Sequence, residues 1–326
     1  MSLLIERYED LDRAVLDALI RDPALAQEFD SLAEVEYLDR KLGDSYCDRE
    51  ATRIARMDGE PAGFCITYLL PRAEGGSWAA VRIGVAGRFR RRGVASALLA
   101  AARRALEART IPGGLQEIMM SAWRPNEAEA GFAAHHGFQH ARCFWKMDRA
   151  TAGCPEPEWP RGVALRVFDG SEAALVDWNA AYNASFAAHY HYVPSSLEHT
   201  RELAAGPHFL RDGLALAYRE GHCVGFCRNE WVGKEGEIGV LGVVPEARGI
   251  GLGRALLRWG TRYFGALGEA LVTLRVDGEN ESALALYRGE GFEVTRTRDL
   301  WGLVPPAAAA DALTAPETRS AAGTRR

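Results

Sequence analysis

The sequence predicts an α/β protein in which one domain of mixed strands and helices is built twice, and three observations carry that prediction. A glycine-rich turn occurs twice, as Arg90-Arg91-Arg92-Gly93-Val94-Ala95 and as Arg248-Gly249-Ile250-Gly251-Leu252-Gly253. The segments upstream repeat too: Gly59-Glu60-Pro61-Ala62-Gly63-Phe64-Cys65 parallels Gly221-His222-Cys223-Val224-Gly225-Phe226-Cys227. Downstream, Asn126 precedes Gly137-Phe138 by the same 11 residues that separate Asn280 from Gly291-Phe292. Gly225 follows Gly63 by 162 residues, Arg248 follows Arg90 by 158 and Gly291 follows Gly137 by 154. Three blocks in one order at a nearly constant offset describe a duplicated domain of about 150 residues.

The elements follow the same order in both copies. Each opens with helical patterning, shown by Leu11, Val15, Leu16 and Leu19 in the first and by Leu175, Trp178, Tyr182 and Phe186 in the second. Short strands come next, such as 213–219 and 224–231, and then the glycine turn starts a helix. In that helix Leu252, Leu256, Trp259 and Tyr263 recur at intervals of four, three and four, which marks one apolar face. A strand over 271–276 leads to a helix that starts near Asn280 and ends at Gly291, a residue suited to the left-handed position after a helix. Strands and helices in this order make an α/β sheet with helices on both faces. Thr151 to Pro160, with Pro155, Pro157 and Pro160, reads as a linker between domains over 1–150 and 161–304. The Ala- and Thr-rich end, 305–326, has no apolar periodicity and is expected to be a disordered tail.

Composition narrows the function. The 326 residues are 48% hydrophobic and 25% charged, enough for two independent cores. A net charge of −5 argues against nucleic-acid binding, which needs a basic face. The local cluster Arg88, Arg90, Arg91 and Arg92 sits beside the glycine turn, where phosphate contact is a better reading than a solvated turn. Glu6, Arg7, Glu9 and Asp10 interrupt any leader-like apolar run, and no segment has the length of a membrane span. The six cysteines form no metal-ligand pairs, so reduced thiols, a cytoplasmic location and no metal site are expected.

The glycine turn has a physical use where a strand meets a helix. First-turn N–H groups lack intrahelical partners and the helix dipole favours negative charge there, so a pyrophosphate can rest on them. Gly249, Gly251 and Gly253 let such a ligand approach the backbone. No Gly-Lys-Ser/Thr ends the turn, which excludes the phosphate loop of nucleotide hydrolases. The glycines also follow several strands, and no acidic residue closes a second strand as a dinucleotide fold requires.

These residues resemble the GNAT superfamily of acyl-coenzyme A-dependent N-acyltransferases. Its cofactor pattern, Gln or Arg, two residues, Gly, one residue, Gly or Ala, is met by Arg248, Gly251 and Gly253 and again by Arg90, Gly93 and Ala95. Its later block is met by Asn280, Ala283, Tyr287, Gly291 and Phe292. The tandem arrangement, with Gly236-Glu237-Ile238 ahead of Leu241-Gly242-Val243, is most similar to the mycothiol synthase group and its tandem relatives. The resemblance implies two domains, each a mixed, mostly antiparallel sheet flanked by helices. It implies acetyl-CoA held by Leu241, Gly242, Val243, Arg248, Gly249, Ile250, Gly251, Leu252, Gly253, Arg254, Asn280 and Ala283. The corresponding first-copy positions are Ile83, Gly84, Val85, Arg90, Arg91, Arg92, Gly93, Val94 and Ala95. It further implies a small-molecule amine as acceptor, with no nucleic acid or membrane partner. Packing of the two domains on each other leaves a monomer open.

The chemistry supports a reaction centre in the second copy. An amine with a pKa of about 10 must lose a proton before it attacks a thioester. Glu237 is the candidate base; alone it reads better as a strand-edge carboxylate, and the resemblance puts catalysis ahead. Period-two geometry places it on one strand face with Gly239 and Leu241, Gly239 leaving room for the acceptor. Backbone N–H groups at Leu241, Gly242 and Val243 would polarise the thioester carbonyl. Tyr287 resembles the family's general acid, its alternative being a half-buried core aromatic. In the first copy Glu237 corresponds to Ala79 and Tyr287 to Ala133, with Phe132 alongside, and none of these transfers a proton. On the acceptor side, Trp178, Tyr182, His189 and Arg275 are candidates. For Trp178 and Tyr182 packing in the core is the stronger reading, and Arg275 can bind an acidic acceptor group or pair with a carboxylate. Two readings stand: an N-acetyltransferase acting on a small primary amine, a cysteinyl glycoside in the mycothiol case, or a non-catalytic coenzyme A-binding regulatory or scaffold protein.

Overall fold

The computed structural model describes residues 2–9, 12–26, 42–73 and 75–305. Leu11 of the opening helix and nearly all of the expected tail, 306–326, lie outside the described residues. The first half contains β1 (Leu3–Arg7), α1 (Arg13–Ile20), α2 (Pro23–Ala26), β2 (Arg53–Met57), β3 (Glu60–Pro71), β4 (Ser77–Val85), α3 (Val94–Glu107), β5 (Leu115–Trp123), α4 (Glu127–His135) and β6 (Gln139–Ala150). The second repeats this series as β7 (Val163–Val167), α5 (Glu172–Phe186), α6 (Leu197–Ala205), β8 (Leu214–Arg219), β9 (His222–Val232), β10 (Glu235–Val243), α7 (Leu252–Ala266), β11 (Leu271–Asp277), α8 (Glu281–Gly289) and β12 (Glu293–Leu303). The predicted strands and helix starts fall within a few residues of these bounds.

All the strands join one sheet in the order β1-β2-β3-β4-β5-β12-β6-β11-β10-β9-β8-β7. Pairing is antiparallel except for β4 with β5 and β10 with β11. The centre of this order is an exchange. Strand β6, from the first half, lies between β11 and β12, while β12 lies between β5 and β6. Each half therefore receives its closing strand from the other, and two hydrophobic cores result. The first includes Phe64, Leu98, Ile118 and, from β12, Trp301; the second includes Phe226, Leu256, Phe264 and, from β6, Met147. A strand that is apolar on one face can fill a neighbour's core as well as its own, because register and alternation are all the sheet requires.

Helices cover both faces, as expected. Phe226 packs on Trp178, Tyr182 and Phe186 of α5, whereas its neighbours Gly225 and Cys227 lie against α7. Adjacent strand residues point to opposite faces, so α5 and α7 do as well. Helix α7 buries Leu252, Ala255, Leu256, Gly260 and Phe264, with Trp259 and Tyr263 at the margin of the stripe. The six cysteines are free, and Cys65 and Cys227 are fully buried in equivalent strands. Among the described residues no helix is long and apolar enough to cross a membrane.

Candidate active site

The glycine turn closes each half's fourth strand onto a helix. Gly251 and Gly93 act as N-caps of α7 and α3 with φ of 90° and 81°, the left-handed region where a side chain is strained. A Cβ at Gly249 or Gly251 would meet no protein atom within 4 Å, so the outer side of the turn is open to a ligand beside the free N–H groups of the helix. The motif arginines have a different task from the one expected of their side chains. Arg248 donates to the carbonyls of Val243 at 3.1 Å and Ser185 at 2.9 Å, and Arg90 donates to those of Val85 and Ala24 at 3.2 and 2.9 Å. Both brace the turn against the preceding strand and the opening helices. Arg254 pairs with Glu290, and Asn280 caps α8 by accepting from the Ala283 N–H at 3.1 Å.

A gap in the sheet lies beside each turn. Strands β10 and β11 pair only at Glu237 with Thr273 and at Ile238 with Leu274. Past Ile238 the N–H groups that β10 turns away from β9 have no strand partner, and Leu241, Gly242 and Val243 lie in this stretch. Strand β4 parts from β5 past Ala80 in the same way. In the first half a cavity of about 720 Å³ opens there, lined by Ile83, Val85, Arg90, Arg91, Gly93, Val94 and Ala95. Gly84 is not among its lining residues, because it faces the Phe64 ring, and neither is Arg92. An open turn, unpartnered strand N–H groups and a helix N-terminus fit the phosphate and amide-rich arm of an acyl-coenzyme A.

The halves differ where the reaction centre is expected. Between β9 and β10 the register slips between Ile238 and Val240, a β-bulge that leaves Gly239 unpaired. Strands β3 and β4 pair from Gly63 with Val85 to Pro71 with Ser77 without a slip. The bulge corrects two expectations. Glu237 pairs with Glu230 and Leu241 with Cys227, an odd number of residues apart, so Glu237 and Leu241 face opposite sides of the sheet. Nor does Gly239 leave room for an acceptor, because a Cβ there would run into the Glu230 carboxylate.

Glu237 is buried and takes a hydrogen-bonded ion pair from Arg275 on β11. Burial pushes its carboxyl up to about 7; Arg275 opposes the rise, while Glu230 and Glu235 add to it. Burial likewise pushes the Tyr287 phenol up to about 12, so it stays protonated at neutral pH. Tyr287 packs against Phe292, with ring centroids 6.1 Å apart. The bulge also corrects the first-half counterpart of Glu237: Glu237 pairs with Glu230 and Thr273 as Ala80 pairs with Tyr68 and Met119, so Ala80 rather than Ala79 stands at its position, and the fully buried Ala133 stands at that of Tyr287.

The acceptor-side candidates separate in space. Trp178 is core: it is buried among Phe168, Phe209 and Phe226 and faces no cleft. Tyr182 borders it, partly buried against Phe186 and Phe226. His189 packs on Phe186 near Arg248, on the cofactor side, and burial followed by that charge lowers its pKa. Of the four, only Arg275 touches Glu237. Sequence reasoning missed Glu230 and Glu235. The two-residue turn at Gly233 and Lys234 was a usable signal for Glu230, since it sets Val232 opposite Glu235 and therefore Glu230 opposite Glu237.

A parted pair of parallel strands beside a glycine turn, with a buried carboxylate at the parting, fits an acyltransferase of the coenzyme A-dependent type. Two segments, 16–138 and 175–292, match the Acetyltransferase (GNAT) family, and the chain belongs to that family. It is an acetyltransferase with two tandem domains, and it uses acetyl-CoA. A mycothiol acetyltransferase of Pseudarthrobacter chlorophenolicus is 34% identical over 300 residues, covering 82% of this chain and 86% of that protein. One from Actinosynnema mirum is 33% identical over 298 residues, covering 87% and 94%. In fold the chain is similar to a GCN5-related N-acetyltransferase from Sphaerobacter thermophilus, with a TM-score of 0.71 at 23% identity over 93% and 95% of the two chains. A tandem GNAT protein from the clavulanic acid biosynthesis pathway gives 0.70 at 17% identity over 93% and 98%.

Proposed function

We propose that this protein acetylates the primary amine of a small molecule by direct attack in a ternary complex, with catalysis in the second half of the chain. The observation that carries the reading is Glu237, a buried carboxylate held near neutrality where β10 and β11 part. Acetyl-CoA supplies an activated acyl group as a thioester. Glu237 takes the proton of the incoming ammonium, which an ordinary exposed carboxylate near 4 does poorly. The N–H groups of Leu241 to Val243 that face the gap stabilise the charge that develops on the carbonyl oxygen. Tyr287, kept protonated by burial, donates toward the departing sulfur. The first half keeps the cradle and cavity but has Ala80 and Ala133 in place of the proton-transferring pair, so it binds without turning over.

The acceptor we favour is a cysteinyl glycoside. The resemblance to proteins named mycothiol acetyltransferase over more than four-fifths of the chain supports it. A purely scaffolding role is disfavoured because the second half retains both Glu237 and Tyr287. The test is free-thiol release from acetyl-CoA over an amine panel that includes cysteinyl-glucosamine. Amine-dependent release lost in E237Q and Y287F supports the assignment. Acetyl-CoA binding with no amine-dependent release would move the protein to the scaffolding class.

A further inference from the structure

Three carboxylates crowd the parting of β10 and β11, and each is held by a cation from a different strand. Glu230 sits opposite Glu237 across β9 and β10, and Glu235 lies two residues before it on the same face of β10. Like charges in such positions repel and favour protonation. Arg228, on β9, holds Glu230 at 3.1 Å. Arg275, on β11, holds Glu237. The third cation is Lys146, whose amino group lies 2.7 Å from both oxygens of Glu235. Lys146 is only 7% exposed, and it stands on β6 directly opposite Arg275. It belongs to the half of the chain that lacks the catalytic pair, and the strand exchange delivers it here.

We propose that Lys146 is a positioning residue for acetyl transfer: by clamping and neutralising Glu235 it lets Glu237 give up its proton beside two other carboxylates. The proposal rests on Glu237 being the base, and it deepens that reading by giving the first half a defined part in the reaction. The other groups facing Glu237 do not replace Lys146. On β9 and β11, Arg228 and Arg275 are committed to Glu230 and Glu237. On β6, Asp148 is engaged by Thr273 and Thr295. On α5, Tyr182 offers only a neutral phenol, pushed up by burial. Without Lys146, the charge of Glu235, whose side chain is half exposed, loses its cation and acts on Glu237 two residues along the strand.

The experiment titrates Glu237 in the full chain by carbon-13 NMR of labelled glutamate carboxyls, with E237Q identifying the resonance. It compares the wild type with K146M, K146R, E235Q and the double variant K146M/E235Q. The midpoint is expected to rise by about half a unit in K146M, less than a fully buried neighbouring charge would produce because water screens the half-exposed Glu235. It should stay near the wild-type value in K146R and return toward it in K146M/E235Q, where the offending charge is also gone. At pH 7 a half-unit rise from about 7 lowers the ionised fraction about twofold, and kcat/KM with cysteinyl-glucosamine should fall by that factor and recover at higher pH. The double variant guards against simple misfolding, since it buries no unpaired charge. An unmoved midpoint in K146M, or one that E235Q fails to restore, would overturn the role of Lys146. A midpoint that moves as expected while the rate does not follow supports that role and counts instead against Glu237 as the base.

Discussion

With Glu237 as the proposed base, its ionisation bears on stability and turnover in opposite senses. Its folded pKa of about 7 lies above the ordinary carboxylate value of 4.5, so the folded protein holds a proton that the unfolded chain releases. The stability this contributes is present below about pH 4.5 and is lost as pH rises through 7. E237Q should therefore gain stability over the wild type at pH 8 and none at pH 4.5. The bound on that gain is about 3 kcal/mol, less whatever the lost Arg275 pair was worth, and urea unfolding at the two pH values measures it. The same variant should lose about a hundredfold or more in kcat/KM, the scale of a general base. Y287F should lower kcat while leaving the unfolding midpoint nearly unchanged. Among the described residues the Tyr287 hydroxyl shows no hydrogen bond to forfeit, so equal losses of kcat and stability would count against its acid role.

At the scale of elements, the two glycine turns are nearly the same structure with different consequences. G251A and G93A each place a side chain at positive φ, at a cost of about 1 kcal/mol. Both should lower the melting temperature by similar amounts. Only G251A should raise KM for acetyl-CoA in the turnover assay, because only α7 serves the half with the proton-transferring residues. The first half already tolerates one such strain, since Arg91 has φ of 60° where the second half has Gly249. The bulge is the other element that separates the halves. By slipping the register at Gly239 it turns Leu241 away from the face of Glu237, and G239V should cost both stability and turnover because its side chain would displace the Glu230 carboxylate.

At the scale of the whole molecule, the exchange of β6 and β12 makes each half incomplete alone. A fragment over 161–326 lacks the strand that lies between β11 and β12 and also lacks Lys146, so it should show no cooperative unfolding transition by circular dichroism. Adding a fragment over 1–160 should restore one. Asp299 fastens the exchange from the other side. It sits on β12 and accepts from Arg124 at 2.7 and 2.8 Å, from Asn126 at 3.0 Å, and lies 3.0 Å from His140, all of the first half. Arg124, helped by Asn126 and His140, holds its carboxyl well below the usual range in spite of burial. That contribution is present above the unfolded carboxylate pKa near 4 and is lost as pH falls below it. D299N should cost about 1–3 kcal/mol at pH 7, the lower part of the buried-pair range because Arg124 is more than half exposed, and the difference should shrink toward pH 3.

The sequence by itself determined the duplicated α/β fold, the two cofactor cradles and the residues able to move protons. Those follow from local rules: apolar spacing, glycines at positive φ, and the plain difference between Glu237 and the alanines of the matching first-half strand. It also determined that Asn280 opens a helix, because a side-chain oxygen that caps the first turn is a local device. What only the tertiary structure decided is non-local. Trp178 is core rather than acceptor wall because β9 presents Phe226 to it, and Arg248 braces a strand because Ser185 comes within its reach. The face of Leu241 depended on a bulge of one residue, which alternation in a single strand does not reveal. The exchange of closing strands was hidden as well, since the apolar spacing along β6 does not say which strands it pairs with, and only the sheet sets it between β11 and β12. Only the packed sheet shows that β6 carries Lys146 to Glu235, beside the Glu237 that the other half supplies.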